Sequence, residues 1–82
     1  MFTIQKKDGQ LENFQRSKLI DGVIKAGATP EEAETVATRI EEWLPTIAMD
    51  QVVKGVDLRN KVLEILRQLN QGVAASFESY HK

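Results

Sequence analysis

The 82-residue sequence contains no cysteine, and its single histidine, His81, is the next to last residue. Without cysteine the chain cannot form disulfide bonds, thiolate zinc sites or a cysteine nucleophile. One histidine beside the end of the chain offers little to acid–base catalysis or to a metal site, because termini are usually poorly ordered. We therefore expect a protein that is not an enzyme and that holds no metal through its own side chains.

Long apolar runs and an excess of one charge are also absent. The hydrophobic stretches are only a few residues long, too short for a membrane span or a secretory signal. The 11 Lys and Arg residues nearly balance the 12 Asp and Glu residues, so the formal net charge is -1. This balance argues against binding of nucleic acid through bulk charge. We expect a cytoplasmic protein that contacts no membrane and does not have DNA as a partner.

The charge is nevertheless divided unevenly along the chain. Residues 1–28 and 51–82 each hold five basic and three acidic residues, whereas residues 29–50 hold one basic and six acidic residues. If the two basic segments meet in the folded chain, they could frame a small anion. Ordinary solvated faces would give the same distribution, so charge alone leaves both interpretations open.

The first part of the chain predicts a hairpin followed by a helix. Asp8-Gly9 lies between two runs that alternate apolar and polar residues, which indicates a β-hairpin at about 2–14. Apolar residues then recur at helical spacing over about 16–26. Gly27 is suited to end this helix, because glycine accepts the positive φ of a helix C-terminus.

The remaining chain predicts three more helices and a short strand. Thr29 and Glu32 have the spacing of a capping box around Pro30, which predicts the start of the second helix, and Pro45 is expected to end it. The other predicted elements are a strand at Val52-Val53, a helix capped by Gly55 with Asp57 in its first turn, and a last helix after Asn70-Gln71-Gly72.

Together these elements predict a single α+β domain over residues 1–82. We expect a small, mostly helical bundle of about four helices, capped by an N-terminal β-hairpin or three-stranded sheet. Hydrophobic residues make up 41% of the chain, which suffices for one modest core.

One basic constellation is a candidate for ligand binding. Lys6 and Lys7 lie on the shoulder of the predicted hairpin, Glu12 on its returning strand, and Lys18 in the first turn of the following helix. Helix N-termini favour anions, and a lysine adds a point charge there. These residues could form a polyphosphate clamp, although a soluble hairpin with lysines at its tip would have the same sequence.

The chain resembles the ATP-cone family, the nucleotide-sensing regulatory domains of ribonucleotide reductases and of the repressor of their genes. The resemblance implies a helical bundle capped by a small sheet, here as a domain standing alone. Lys54–Leu58 occupies the position of the family's Lys-Thr-Ser-Asp-Ile segment, at the start of the third helix. The segments that carry the resemblance are Ile4–Gly9 with the spaced Glu12, Phe14 and Lys18, then Lys54–Leu58, and finally Val73–His81.

The resemblance implies a domain that binds ATP or dATP, with Mg²⁺ neutralising the phosphates. The implied partners are an adenine nucleotide and either a second copy of the chain, as a homo-oligomer, or a ribonucleotide reductase subunit. The implied nucleotide-binding residues are Lys6, Lys7 and Lys18 at the phosphates, Glu12 and the backbone near Ile4 at the ribose and base, Arg59 at the base, and Phe77 and His81 closing the pocket.

Differences from the family pattern leave an alternative open. Gly55 and Val56 replace a Thr-Ser pair, which removes a side-chain hydrogen bond to the ligand. Gln15 stands where an Asp or Asn commonly caps the first helix, and His81, mostly neutral near pH 7, replaces a permanent cation. The alternative function is a protein–protein interaction module that keeps the cone fold and has lost nucleotide binding.

Overall fold

The computed structural model describes residues 2–80 of the chain. Over these residues it contains four helices and one three-stranded sheet. The predicted α+β class, a mostly helical bundle with a small sheet, is therefore confirmed. In chain order the elements are β1 (Thr3–Gln5), β2 (Leu11–Asn13), α1 (Arg16–Lys25), α2 (Pro30–Ile47), β3 (Val52–Lys54), α3 (Gly55–Leu69) and α4 (Gln71–Tyr80).

The sheet consists of the predicted hairpin and the predicted third strand. β1 lies in the centre, antiparallel to β2 and parallel to β3. Gly9 adopts a φ of 89°, and its N–H donates to the carbonyl of Lys6 at 2.9 Å, which closes the hairpin turn. In the parallel pair Lys54 lies opposite Gln5. The end of β3 is thereby brought beside the lysines of the hairpin.

Helix α1 ends as its sequence predicts. Gly27 has a φ of 112°, and the N–H of Ala28 donates to the carbonyl of Val23 at 3.2 Å. This Schellman arrangement satisfies a carbonyl that the end of the helix leaves without a partner. At the other end Gln15 provides no side-chain cap, so the start of α1 rests on its packing.

Helix α2 begins where predicted but extends beyond the predicted stop. The Thr29 hydroxyl accepts from the N–H of Glu32 at 3.1 Å, and the Glu32 carboxylate accepts from the N–H of Thr29 at 3.0 Å. The predicted end at Pro45 is wrong, because the helix continues past it. A proline removes the bond that its own nitrogen would donate and crowds the carbonyl four residues earlier, but the residues after it can still donate. After it, the N–H of Ala48 still donates to the carbonyl of Leu44 at 2.9 Å.

Two further boundaries differ from the sequence prediction. Lys54, not Gly55, is the N-cap of α3, because β3 runs directly into this helix without a loop residue. Asp57 does lie in the first turn of α3, as predicted. Helix α4 already includes Gly72, since the Asn70 Oδ1 accepts from the N–H of Val73 at 3.2 Å and caps the helix just before it.

The helices and the inner face of the sheet enclose one apolar core. No polar or charged side chain is buried within the described range, so a polar ligand must bind in surface clefts between the elements. None of the described helices combines the length and hydropathy that a membrane span requires. The largest fully buried side chains are Val23, Val36, Ile40, Leu44, Val62 and Leu66.

Candidate functional site

An apolar pocket of about 310 Å³ opens at the place where α1, α3 and α4 approach the sheet. Its volume lies at the small end of the range for ligand-binding pockets. The pocket could accept a planar heterocycle, whose faces would contact aliphatic and aromatic side chains. It is lined by Ile4, Leu19, Gly55, Leu58, Arg59, Val62 and Phe77.

A cationic groove of about 280 Å³ lies beside this pocket. Three lysines, Lys6, Lys7 and Lys54, line it together with Gln5, Gly9, Gly55 and Val56, and no carboxylate is part of its wall. Lys6 and Lys7 come from the hairpin, and Lys54 comes from the end of β3. Basic residues of the first and third chain segments thus line one groove, which suits an anionic group.

Gly55 forms part of the wall of both the apolar pocket and the cationic groove. A Cβ atom at this position would lie 3.2 Å from the carbonyl oxygen of Gln5 and 3.5 Å from Cγ2 of Ile4. The first turn of α3 therefore approaches β1 closely at the boundary between the two cavities. The residue that replaces the family's threonine fits this approach, since a larger side chain would press on the backbone of β1.

A three-residue ion-pair cluster, formed by Lys6, Glu12 and Lys18, links the hairpin to α1. The Glu12 Oε2 lies 3.4 Å from Nζ of Lys6 and 3.6 Å from Nζ of Lys18. Register places Glu12 opposite Ile4, which is a lining residue of the apolar pocket. Three of the residues that the sequence proposed as a phosphate clamp therefore contact one another, and their cluster lies next to the apolar pocket.

Arg59 on α3 and Phe77 on α4 both line the apolar pocket. The Arg59 Nη2 donates to the main-chain carbonyl of Glu78 at 3.1 Å. Phe77 is partly buried and packs against the core. The guanidinium is therefore held against the last turn of α4, at the residue that follows Phe77.

The structure brings most of the sequence-predicted site residues into these neighbouring features. Ile4, Arg59 and Phe77 line the apolar pocket, Lys7 lines the groove, and the remaining lysines and Glu12 form the cluster. His81 lies outside the described residues. Lining residues that the sequence reasoning did not assign to the site include Lys54 in the groove and Leu19, Leu58 and Val62 in the apolar pocket.

Comparison with known proteins identifies the family. A family model described as "ATP cone domain" matches residues 2–82. The transcriptional repressor NrdR of Petrotoga mobilis is 30% identical over 96% of this chain and 55% of its own length. The same repressor of Symbiobacterium thermophilum is 35% identical over 96% and 55%, and that of Microcystis aeruginosa 32% identical over 96% and 48%. The chain spans about half the length of these curated relatives.

These relatives correct the exclusion of DNA that the charge balance suggested. A transcriptional repressor acts on genes, so setting DNA aside as a partner was wrong for this group of proteins. The reason is physical: the net charge of -1 belongs to this chain alone, and the relatives extend well beyond the matched part. The family match and the fold agree, and the chain belongs to the ATP-cone family of nucleotide-sensing regulatory domains, which bind ATP or dATP.

Proposed function

We propose that this chain is an ATP- or dATP-binding allosteric sensor that acts in the control of ribonucleotide reductase or of its genes. The observation that carries the proposal is the pair of adjoining cavities, one apolar and one cationic, that share Gly55. A nucleotide has the same division, with an apolar planar base at one end and anionic phosphates at the other. That the chain has no catalytic activity stays a prediction, as does its cytoplasmic location.

In the proposed complex the base occupies the apolar pocket. Phe77 offers an aromatic face, and Arg59 offers a guanidinium plane beside it. Stacking of a base on an aromatic side chain contributes about 1–3 kcal/mol. Ile4 lines the same pocket, which supports the sequence-based assignment of its backbone to the ribose and base.

The phosphates lie in the groove in this proposal. Lys6, Lys7 and Lys54 supply three positive charges there, and Lys18 adds a fourth from the start of α1. Because each lysine is exposed, these contacts depend on ionic strength. The family resemblance assigned Glu12 to the ribose and base and His81 to closure of the pocket, and both assignments stay predictions.

Magnesium fits this site only as a companion of the phosphates. Within residues 2–80 no group of three or more His, Cys, Asp or Glu residues is placed to hold a metal ion. Magnesium commonly binds through substrate phosphates, one or two carboxylates and water. The nucleotide would therefore bring the ion, whose charge would offset part of the phosphate charge in the groove.

A thermal-shift titration tests nucleotide binding directly. The protein is melted alone and with ATP, dATP or GTP, each with and without Mg²⁺. A ligand at 100 times its Kd stabilises a fold by about 2.7 kcal/mol, which raises the Tm of so small a domain by on the order of ten degrees. No shift with millimolar ATP or dATP would overturn the sensor function and favour the alternative interaction module.

The sensor is proposed to transmit its ligand state through self-association. Two exposed large apolar side chains, Ile47 and Met49, line a cleft beside β3, and Met49 is 80% exposed. Val56, 50% exposed, lines the neighbouring cationic groove. Lys54 and Asp57 adjoin the same cleft. Opposite charges flanking an apolar centre suit a two-fold contact, in which each lysine meets the aspartate of a second copy.

This apolar face adjoins the proposed phosphate groove. Gln5 and Lys54 line both the groove and the cleft beside Met49. A phosphate bound to Lys54 would change the charge available to a second copy. Ligand and assembly would then be thermodynamically linked, because the two equilibria share a residue.

Sedimentation measurements with and without ATP or dATP test the assembly proposal. We expect the ligand to change the average mass of the wild-type protein and Met49→Glu to suppress that change. Leu11→Glu is the matched control, since Leu11 is 61% exposed at the other edge of the sheet. Unchanged mass in every ligand state would overturn ligand-linked self-association without affecting the evidence for nucleotide binding.

A further inference from the structure

Glu12 holds two of the four lysines that the proposed function assigns to phosphate. Its Oε2 lies within 3.6 Å of both Lys6 and Lys18. Lys7 and Lys54, by contrast, have no ion-pair partner among residues 2–80. The Glu12 carboxylate therefore pairs with Lys6 and Lys18, while Lys7 and Lys54 can bind an anion without first breaking an ion pair.

The position of the Glu12 carboxylate follows from the strand register. Glu12 pairs with Ile4 across the hairpin, and directly opposed residues in an antiparallel pair point to the same face of the sheet. Lys6 directly follows β1, and its Nζ lies 3.4 Å from the Glu12 Oε2. The carboxylate is thus fixed beside Lys6 by the backbone and reaches Lys18 across the junction with α1.

We propose that Glu12 is a built-in competitor for the phosphate groups of the nucleotide. In the free protein its carboxylate neutralises part of the charge on Lys6 and Lys18, and a bound phosphate must replace it at one or both ammonium groups. The inference rests on the proposed function and adds to it a residue that sets the ligand concentration at which the sensor fills. Removal of the carboxylate charge should strengthen phosphate binding, although the residue is part of the site.

The expected size of the effect follows from the charges. Two unit charges about 4 Å apart in water interact by about 1 kcal/mol, which is about fivefold in affinity. The repulsion grows with the charge of the ligand, so the gain should increase from inorganic phosphate to pyrophosphate to tripolyphosphate. Salt screens exposed charges, so the gain should shrink as ionic strength rises.

Isothermal titration of inorganic tripolyphosphate into wild-type protein and Glu12→Gln tests the proposal. We expect Glu12→Gln to bind about fivefold more tightly at low salt, and the advantage to fall at high salt. Glu34→Gln is the matched control, because it makes the same change in net charge on α2, outside both cavities of the site. Equal or weaker binding by Glu12→Gln would overturn the inference.

A double-mutant cycle identifies the lysine through which Glu12 acts. In a Lys18→Gln background, Glu12→Gln should gain less than it does alone, because one of the two cations it competes for is gone. A gain of the same size in both backgrounds would overturn competition at Lys18. Circular dichroism and the Tm without ligand serve as folding controls, and exposed ion pairs of this kind contribute little to stability.

The outcomes separate this inference from the proposed function. If the wild-type protein shows no thermal shift with ATP or dATP, the sensor function fails. If it binds ATP while Glu12→Gln shows no gain for tripolyphosphate, only the competitor role fails. Failure of both proteins to bind tripolyphosphate would also overturn the competitor role.

Discussion

The Nη2 of Arg59 on α3 donates a hydrogen bond to the main-chain carbonyl of Glu78, 3.1 Å away on α4. This bond satisfies a carbonyl near the C-terminus of α4 that has few intrahelical alternatives. Because Arg59 also lines the apolar pocket, the bond connects the wall of the proposed base site to the last turn of α4. A change in the pocket can therefore reach the end of the helix through one side chain.

Arg59→Met should loosen the end of α4 and weaken nucleotide binding together. A hydrogen bond from a charged donor contributes about 1.5–3 kcal/mol, so amides in the last turn should exchange several times faster in the variant. Hydrogen exchange followed by mass spectrometry measures this. Arg67→Met is the control, because Arg67 lies 3.9 Å from the Glu78 carboxylate and does not line the pocket. Equal exchange in the two variants would contradict the connection.

Lys18→Gln should weaken nucleotide binding while leaving the Tm of the free protein nearly unchanged. Lys18 is exposed, and its pairing with Glu12 at 3.6 Å is a surface ion pair of the kind that contributes about 0–1 kcal/mol. A titration of ATP and a melt without ligand measure the two effects. Lys25→Gln, at the other end of α1, is the matched control. A Tm loss as large as the loss of binding would mean that Lys18 is structural.

Replacing Gly22, inside α1, and Gly27, just after α1, with alanine should change the stability of the fold in opposite directions. Gly22 lies inside α1, and a Cβ atom added to it would have no neighbour within 4 Å, so Gly22→Ala should stabilise the fold by about 0.5–1 kcal/mol. Gly27 has a φ of 112°, which an alanine adopts only at a cost. Gly27→Ala should therefore lower the Tm, and thermal melts of the free proteins decide both signs.

Local signals explain which parts of the fold the sequence could predict. The hairpin turn at Gly9 and the capping box of Thr29 and Glu32 depend on neighbours within a few residues, and both form as expected. The stop at Pro45 was wrong because the helical hydrogen bonds resume after the proline, and the N–H of Ala48 still donates to the carbonyl of Leu44. Local sequence rules give the conformation that a residue prefers, but the rest of the structure decides where a helix ends.

The candidate site was less accessible to sequence reasoning, because it is assembled by long-range pairing. Lys54 joins Lys6 and Lys7 only because β3 pairs in parallel with β1, at a register that sets it opposite Gln5. No pattern near Lys54 specifies that register. The lysines of the hairpin could be predicted from their place beside the Asp8-Gly9 turn, while the apolar pocket required α1, α3 and α4 to be placed in three dimensions.

Phe77→Leu should separate base binding from phosphate binding. Leucine keeps the apolar packing of this partly buried residue but removes the aromatic face, so ATP affinity should fall about fivefold or more. Affinity for tripolyphosphate should not change, because Phe77 lines the pocket and not the groove. Phe14→Leu, a partly buried phenylalanine outside both cavities, is the control. An equal loss for ATP and tripolyphosphate would show that the base does not contact Phe77.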